Sequence, residues 1–431
     1  MSPPATIAPP KRRQSHVGER AESEPSARHA YGQPFWLAYI ANALVLTAVA
    51  LMFRYADFVT LLGGSEFHLG WIVGLGMVGS FFVRLALGSW IDRYGSRPLW
   101  IGSLVLFTLT CFAHLTVTSP TGLFIYLLRV SYCCAVAGIN GASMTFVSSR
   151  VSTERLAELV GMLGTAGFTG AVLGTLLGDF LLGSIQVNAS QVQQMFLAAG
   201  LLAAVALPFA WLATRHEKRP EAVPGPSLLT LLRRHNPGIV LAVGVAMGVG
   251  LGLPGTFLRT YATELGIPRI ALFFFVYSAA AILTRVVTRR WPELYGPRPI
   301  ILVGMAGMIA SLMLFLVVQR EWQLVIPAIG FGCSHAVLFP SVVAAGSATF
   351  PRRNRGLATV LVLATWDLGL LIGSPLAGAV LKYSPRFGLP AYPTMFLTVA
   401  GLLTLVGVAY AAFGHRQPRE TFVAAGASGQ D

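Results

Sequence analysis

The chain has 431 residues, of which 55% are hydrophobic and 11% are charged. Soluble domains carry about 25% charged residues, so this composition excludes a water-soluble globular protein and indicates a surface that faces lipid. The formal net charge is +14. The basic residues are spread over many loops and are not gathered on one face, which argues against nucleic-acid binding.

Residues 1–33 are rich in Pro, Ser, Ala and charge and contain no apolar run, which predicts a disordered tail. Twelve long apolar stretches follow, and most reach the roughly 20 residues that a membrane-spanning helix needs. Because these stretches are continuous and do not alternate, they indicate helices and not the strands of a barrel. The predicted helices cover 35–56, 67–90, 99–118, 121–149, 156–183, 193–214, 237–262, 268–290, 299–318, 322–349, 356–382 and 392–414.

The twelve predicted helices form two sets of six, at 34–214 and 237–414. A polar linker at 215–236 separates the sets, and a second tail covers 415–431. Most Lys and Arg residues fall in the loops on the side of the chain termini, whereas the opposite loops hold Arg269, Arg320, Lys382 and Arg386. Because basic loops stay in the cytoplasm, we expect a multi-pass protein of the inner or plasma membrane with both termini cytoplasmic.

A loop is repeated at a fixed offset of 201 residues, since 285 − 84 = 201. In each half the repeated loop joins the second predicted helix to the third. A repeated loop between repeated spans predicts two homologous halves, the usual build of a secondary transporter. The matching pairs are Arg84 and Arg285, Trp90 and Trp291, Asp92 and Glu293, Tyr94 and Tyr295, Gly95 and Gly296, Arg97 and Arg298, and Pro98 and Pro299.

The first copy reads Gly88-Ser-Trp-Ile-Asp92-Arg93-Tyr-Gly95-Ser-Arg97. It resembles the loop 2–3 signature G-x-x-x-D-R-x-G-x-[RK] of the major facilitator superfamily. Segments 330–332 and 366–378 resemble the sugar-efflux and drug-efflux-like bacterial branch of that family. The resemblance implies an all-α membrane protein of twelve helices in two pseudo-symmetric six-helix bundles.

The resemblance also implies a role for the repeated loop, which in this family is thought to latch the two halves in one state. We favour this role over a plain topology-setting turn because the second copy is matched. In that copy Arg289 replaces Gly88, Glu293 replaces Asp92 and Leu294 replaces Arg93, so it contributes less to gating. Arg84 and Arg285 lie a turn or two inside the helices, where they either snorkel to the interface or partner a gate carboxylate or carbonyl.

In this fold, as the resemblance implies, helices 1, 4, 7 and 10 line the central cavity. Here they carry Arg54, Arg129, Arg259 and His335, and charges within spans usually face water or a partner. Arg54 and Arg259 are predicted near helix ends, where snorkelling would also explain them. Arg129 resembles the helix-4 arginine of drug/proton antiporters, although the match is partial because Cys133 replaces a glycine of that pattern.

Three further polar residues complete the candidate site. Asp57 lies three residues after Arg54 on the same helical face, which favours a local ion pair. Asn140 adds a polar group to helix 4. Asp367 is predicted near the middle of helix 11 with no basic neighbour one turn away, which makes it the candidate proton site. The simpler alternative is a structural carboxyl held by backbone groups and Trp366.

These observations predict a secondary transporter that moves a small organic solute by alternating access, with proton-coupled efflux as the working hypothesis. The alternatives are an importer of an anionic metabolite and a transporter-like sensor that moves nothing. No nucleophile–base pairing supports an enzyme. Because the sequence has no CxxC and no Cys/His cluster, we expect no metal and no cofactor. The expected partners are the solute, protons and the lipid bilayer, with no nucleic acid and a monomeric protein.

Overall fold

The computed structural model describes residues 32–149, 153–183, 186–217, 235–288, 291–350 and 355–414. The predicted tails at 1–33 and 415–431 and most of the predicted linker lie almost entirely outside this part. Across the described ranges the secondary structure is helical, without strands.

Twelve long helices account for nearly all of the described residues, as the apolar stretches predict. Eleven of them are long and apolar enough to cross a bilayer, and the remaining one, the fifth, has 29 residues. We number them α1 Gln33–Leu61, α2 Glu66–Tyr94, α3 Ser96–Thr116, α4 Leu123–Ser148, α5 Thr153–Leu181, α6 Ala189–Thr214, α7 Ile239–Glu264, α8 Ala271–Thr288, α9 Pro297–Val317, α10 Val325–Ala348, α11 Arg355–Tyr383 and α12 Ala391–Phe413.

Local capping explains where the sequence placed helix boundaries incorrectly. Helix α6 begins at Ala189 and not at residue 193, because Asn188 and Gln191 form a reciprocal capping box. The side chain of each residue bonds the backbone N–H of the other, so the polar start of the helix is satisfied without apolar residues. Helix α1 continues to Leu61 through a 3₁₀ turn at Met52–Arg54. The hydropathy pattern alone carries neither signal.

The helix contacts repeat between the two halves and confirm the pseudo-symmetric bundles. In the first half α1 packs on α5 and α6, α2 packs on α4, and α3 packs on α4 and α6. In the second half α7 packs on α11 and α12, α8 packs on α10, and α9 packs on α10 and α12. Each contact in one half therefore has its counterpart six helices later, as a duplicated bundle requires.

The two halves meet along α2 and α11 and, symmetrically, along α5 and α8. Glycines allow the first of these approaches: a Cβ on Gly70 would collide with the carbonyl oxygen of Ser374, and one on Gly378 would lie 2.7 Å from the carbonyl oxygen of Glu66. Helices α1 and α7 also touch at the end of the molecule away from Gly32 and Gly414. We call this the distal end and the opposite one the proximal end.

Candidate functional site

Four charged residues, two buried arginines and two partly buried aspartates, join the two halves at the distal end, and we call them the distal network. Arg54 on α1 pairs with Asp57 at 2.7 Å and with Asp179 of α5 at 2.9 Å. Arg259 of α7 donates to the other oxygen of Asp57 at 2.8 Å. One carboxylate, Asp57, therefore bridges an arginine of each half.

The network also forms hydrogen bonds with backbone groups, most of them in the second half. Asp179 accepts hydrogen bonds from the backbone N–H groups of Ile270 and Ala271, at 2.9 and 2.7 Å, where α8 begins. A carboxylate at a helix N-terminus satisfies free N–H groups and interacts favourably with the helix dipole. Arg54 donates to the carbonyl oxygens of Leu182 and Pro268.

Snorkelling, the alternative explanation for Arg54 and Arg259, is excluded because the two residues are 0% and 1% exposed. Their guanidinium groups are held by carboxylates within the protein, where an ion pair replaces hydration. The local pair of Arg54 with Asp57 is present as the spacing indicates. Asp179 was missed as a member of this network, although an acidic residue near the outer end of helix 5 was visible in the sequence.

A second ion pair joins the halves at a deeper level. Arg84 of α2 donates to Asp367 of α11 at 2.6 Å, and Ser80 donates to the same carboxylate oxygen at 2.7 Å. Asp367 is only 2% exposed. We call Arg84 and Asp367 the central pair. The partner of Asp367 comes from the opposite half, which is why no basic residue one turn away along α11 reveals it.

Five aromatic rings from four helices form a cluster, which includes Trp366, the residue before Asp367. Phe168 belongs to α5, Tyr277 to α8, His335 and Phe339 to α10, and Trp366 to α11. The His335 ring lies 5.8 Å from Tyr277, 5.7 Å from Phe339, 5.8 Å from Trp366 and 6.2 Å from Phe168. The Tyr277 hydroxyl and His335 Nδ1 are hydrogen-bonded. We call these residues the aromatic cluster.

Arg285 of α8 extends this cluster with a positive charge. Its Cζ lies 4.9 Å from the centre of the Phe168 ring, a cation–π distance. Its charge is close enough to interact with Tyr277 and His335. Its Nε is buried and has no hydrogen-bond partner among the residues described. Arg285 thus occupies the repeat position of Arg84, but no described carboxylate pairs with it.

Arg129 lies elsewhere, inside the first bundle, and is 6% exposed. Its guanidinium is sandwiched between Tyr55 and Tyr132, with Cζ 4.5 and 4.8 Å from the ring centres. Within the described ranges, its Nε and one terminal nitrogen have no hydrogen-bond partner. Asn140 is half-buried on α4, and its carbonyl oxygen accepts a bond from Ser143. No described contact brings Arg129 or Asn140 to His335.

The repeated loops have matching backbones. Gly95 and Gly296 adopt φ values of 84° and 76°, a left-handed region that favours glycine. Each precedes the third helix of its half. Arg97 stacks on Trp211 of α6 at 5.6 Å, and Arg298 donates to the carbonyl oxygen of Ala411 on α12 at 2.5 Å. Both loops are therefore attached to the sixth helix of their own half.

The acid that accepts hydrogen bonds at the start of α3 is Glu217 and not Asp92 of the repeated loop. Asp92 and Arg93 are exposed, and the backbone N–H of Arg97 donates to Glu217 at 3.0 Å, as does the Ser96 hydroxyl at 2.5 Å. Glu217 follows α6 and lies within reach because the loop rests on that helix. Gly88 is half-buried on α2. The side chain of Glu293 lies outside the described residues.

The described side chains of the site offer ion pairs and aromatic rings. In the described part of the chain no group of three or more His, Cys, Asp or Glu could hold a metal ion. Its four cysteines are free thiols. The arrangement can recognise charge and flat apolar surface, and it can exchange a proton at a carboxylate or an imidazole.

Comparison with known proteins gives the family. The sequence profile of the Major Facilitator Superfamily matches residues 35–291 and 268–429. The MFS-type transporter YhhS of Escherichia coli strain K12 is 22% identical over 378 residues, which cover 82% of this chain and 89% of that protein. The chain belongs to the Major Facilitator Superfamily.

Solved structures agree at the level of the fold. The nucleoside transporter NupG superposes with a TM-score of 0.70 at 15% identity, covering 89% of this chain and 99% of that one. A D-xylose-proton symporter gives 0.67 at 15% identity, covering 87% and 96%. The protein is therefore a multi-pass membrane transporter of the MFS fold.

Proposed function

We propose that the protein is a secondary active transporter that moves a small organic solute by alternating access and couples this movement to protons, with efflux as the physiological direction. The observation that carries the proposal is the pair of ionic contacts between the halves, one at the distal end and one deeper. Both must break for the halves to rock, and both contain a carboxylate that a proton can neutralise.

The proposed orientation follows from the basic loops, which put the chain termini and the proximal end in the cytoplasm. The distal network then closes the outer side. Its two arginines are buried, and they share one carboxylate. This arrangement supports an inward-facing state in which the aromatic cluster is reached from the cytoplasm.

Asp367 is the proposed proton site because its charge holds α2 against α11. While Asp367 is ionised it accepts hydrogen bonds from Arg84 and Ser80. A proton on this carboxyl removes the ionic attraction to Arg84, so proton binding and separation of the helices become linked equilibria. Trp366, the preceding residue, lies in the aromatic cluster, so solute binding and protonation act on the same segment of α11.

The test is flux in proteoliposomes, with and without an imposed pH gradient, using three radiolabelled probes of different charge: benzenesulfonate, benzyltrimethylammonium and D-xylose. We expect protein-dependent movement of at least one probe that increases with the gradient. Protein-dependent flux of a probe that is the same with and without the pH gradient would contradict proton coupling. If no probe moves in a protein-dependent way, the transporter-like sensor is favoured instead.

Import of an anionic metabolite is the second candidate, because Arg129 and Arg285 have no carboxylate partner among the described residues. Direction is measured with the same vesicles by adding a probe to one side at a time. Faster net movement toward the face that carries the chain termini would favour import over efflux.

A further inference from the structure

We propose that the transported solute is an organic anion with a flat aromatic part, which Arg285 binds through its anionic group while the aromatic cluster holds its ring. This inference rests on the proposed transport function and names its substrate class.

The charge of Arg285 is the first step. Arg54, Arg84 and Arg259 each lie within 3 Å of a carboxylate oxygen. Arg285 forms no ion pair among the described residues and lies over the face of Phe168. Its Nε is buried without an acceptor. A buried N–H donor without an acceptor is costly, and a bound anion would supply both an acceptor for this donor and a counter-charge for the guanidinium. A guanidinium binds carboxylate and sulfonate-type groups through paired N–H donors.

Accessibility is the second step. Phe168 is buried, but Tyr277, His335, Phe339, Trp366 and Arg285 are each partly exposed. These side chains lie on both sides of the junction between the halves, since Phe168 is on α5 and the other five are on α8, α10 and α11, and this junction opens to solute in the proposed alternating access. The orphan donor of Arg285 therefore lies beside a region that a solute can enter.

The rings supply the third step. Trp366 and Phe339 lie 6.0 Å apart at 79°, and His335 meets Phe339 at 89° and Trp366 at 46°. Rings set at such angles offer a flat guest both face and edge contacts, which aromatic pairs prefer. Since the cluster combines α5 of one half with α8, α10 and α11 of the other, a guest here would contact the surfaces that move in alternating access.

Binding to the purified full chain tests the inference without requiring transport. Benzenesulfonate is the probe, and three compounds isolate its features: benzenesulfonamide lacks the charge, methanesulfonate lacks the ring, and benzyltrimethylammonium reverses the charge. We expect benzenesulfonate at millimolar concentration to raise the melting temperature and the other three to leave it nearly unchanged. Equal stabilisation by the cation, or none by benzenesulfonate, would overturn the inference.

Variants locate the site. Arg285→Gln should weaken benzenesulfonate binding by about tenfold or more. Trp366→Leu should also weaken benzenesulfonate binding, because it removes a contact with the aromatic ring of this probe. Arg386→Gln, which removes one exposed arginine, serves as the matched control and should bind as the natural chain does. Unchanged binding by Arg285→Gln would place the anion elsewhere and contradict the assignment.

The inference and the proposed function can fail separately. If benzenesulfonate binds in an Arg285-dependent way but does not cross the membrane of proteoliposomes, the binding site is supported and transport of this class of solute is rejected. If a pH gradient drives benzyltrimethylammonium across the membrane and benzenesulfonate does not bind, proton-coupled transport is supported and the anion site is rejected.

Discussion

Arg84 and Arg285 occupy the same position in the two halves, yet they have different partners. Arg84 on α2 forms an ion pair with Asp367 of α11, whereas Arg285 on α8 meets the ring of Phe168 on α5. The helix pairs are equivalent, because α2 against α11 repeats as α8 against α5. The same cation is present twice, and a difference on the facing helix gives Arg84 a carboxylate partner, whereas Arg285 has none among the described residues.

The largest expected effect is a difference in melting temperature between variants that lack Arg84 and variants that lack Arg285. Arg84→Ala leaves Asp367 buried without its cation, which costs about 3–5 kcal/mol in buried pairs. Arg285→Ala leaves no described carboxylate without its cation, so the melting temperature of this variant should fall much less than that of Arg84→Ala. Thermal denaturation of both purified variants measures the contrast, and an equal loss in the two would contradict the difference in partners.

The central pair offers its own control for that result. The double variant Arg84→Met, Asp367→Leu replaces both charges with apolar side chains, which is often close to neutral for stability. It should therefore melt nearer to the natural chain than Arg84→Ala does, while losing the response of transport to pH. A double variant as unstable as the single one would show that the cost does not arise from an unpaired charge.

The second prediction makes the two positions alike. Phe168→Glu puts a carboxylate where the ring now faces Arg285, so the arginine gains an internal partner and benzenesulfonate should bind at least about tenfold more weakly. Phe168→Leu removes the ring without adding charge and should have a smaller effect. The measurement is the ligand-induced shift in melting temperature, and equal effects of the two substitutions would refute the charge-based explanation.

The third prediction contrasts the central pair with the distal network. Asp57→Asn removes the carboxylate that Arg54 and Arg259 share, so distal-open states should become more populated. Phe53 stacks on Phe274 of α8 across this end. In a cysteine-free background, Phe53→Cys should react several-fold faster with an impermeant maleimide when Asp57→Asn is also present. An unchanged rate would mean that the network does not hold this end closed.

The smallest effect concerns the matched glycines of the repeated loops. Gly95→Ala and Gly296→Ala each force a residue with a Cβ into a backbone region with positive φ and extended ψ that is essentially restricted to glycine, which costs about 1–3 kcal/mol. Nothing crowds the added atom at Gly296. Both variants should melt at similarly lowered temperatures. If only one of the two variants had a lowered melting temperature, the two glycines would not contribute equally to the stability of their loops.

Hydropathy and the repeat predicted the fold because lipid leaves few alternatives. Long continuous apolar stretches must be helices, and a loop duplicated at one offset requires duplicated halves. The departures, such as the start of α6 at Ala189, come from capping by Asn188, which does not require apolar residues. The twelve helices and the two bundles were therefore accessible from the sequence alone.

The site was less accessible, since its contacts connect residues far apart in the chain. Arg84 and Asp367 were both singled out, but their pairing depends on α2 meeting α11. Tyr277, Phe168 and Glu217 were not singled out, because an aromatic or acidic residue in a long helix or linker has no distinguishing local pattern. The spacing indicated the local pair of Arg54 with Asp57. The pairs of Arg259 with Asp57 and of Arg54 with Asp179 join helices far apart in the chain, so the sequence could not exclude snorkelling as the alternative for either arginine.

The central claim is that the charge of Asp367 holds the halves in this arrangement. Spin labels at Tyr94→Cys and Tyr295→Cys, both exposed and one on each half at the proximal end, report the separation of the halves by pulsed electron spin resonance in a cysteine-free background. Asp367→Asn, which mimics the protonated carboxyl, should increase the population of a shorter proximal distance relative to the ionised protein. Identical distance distributions with and without this substitution would contradict the account.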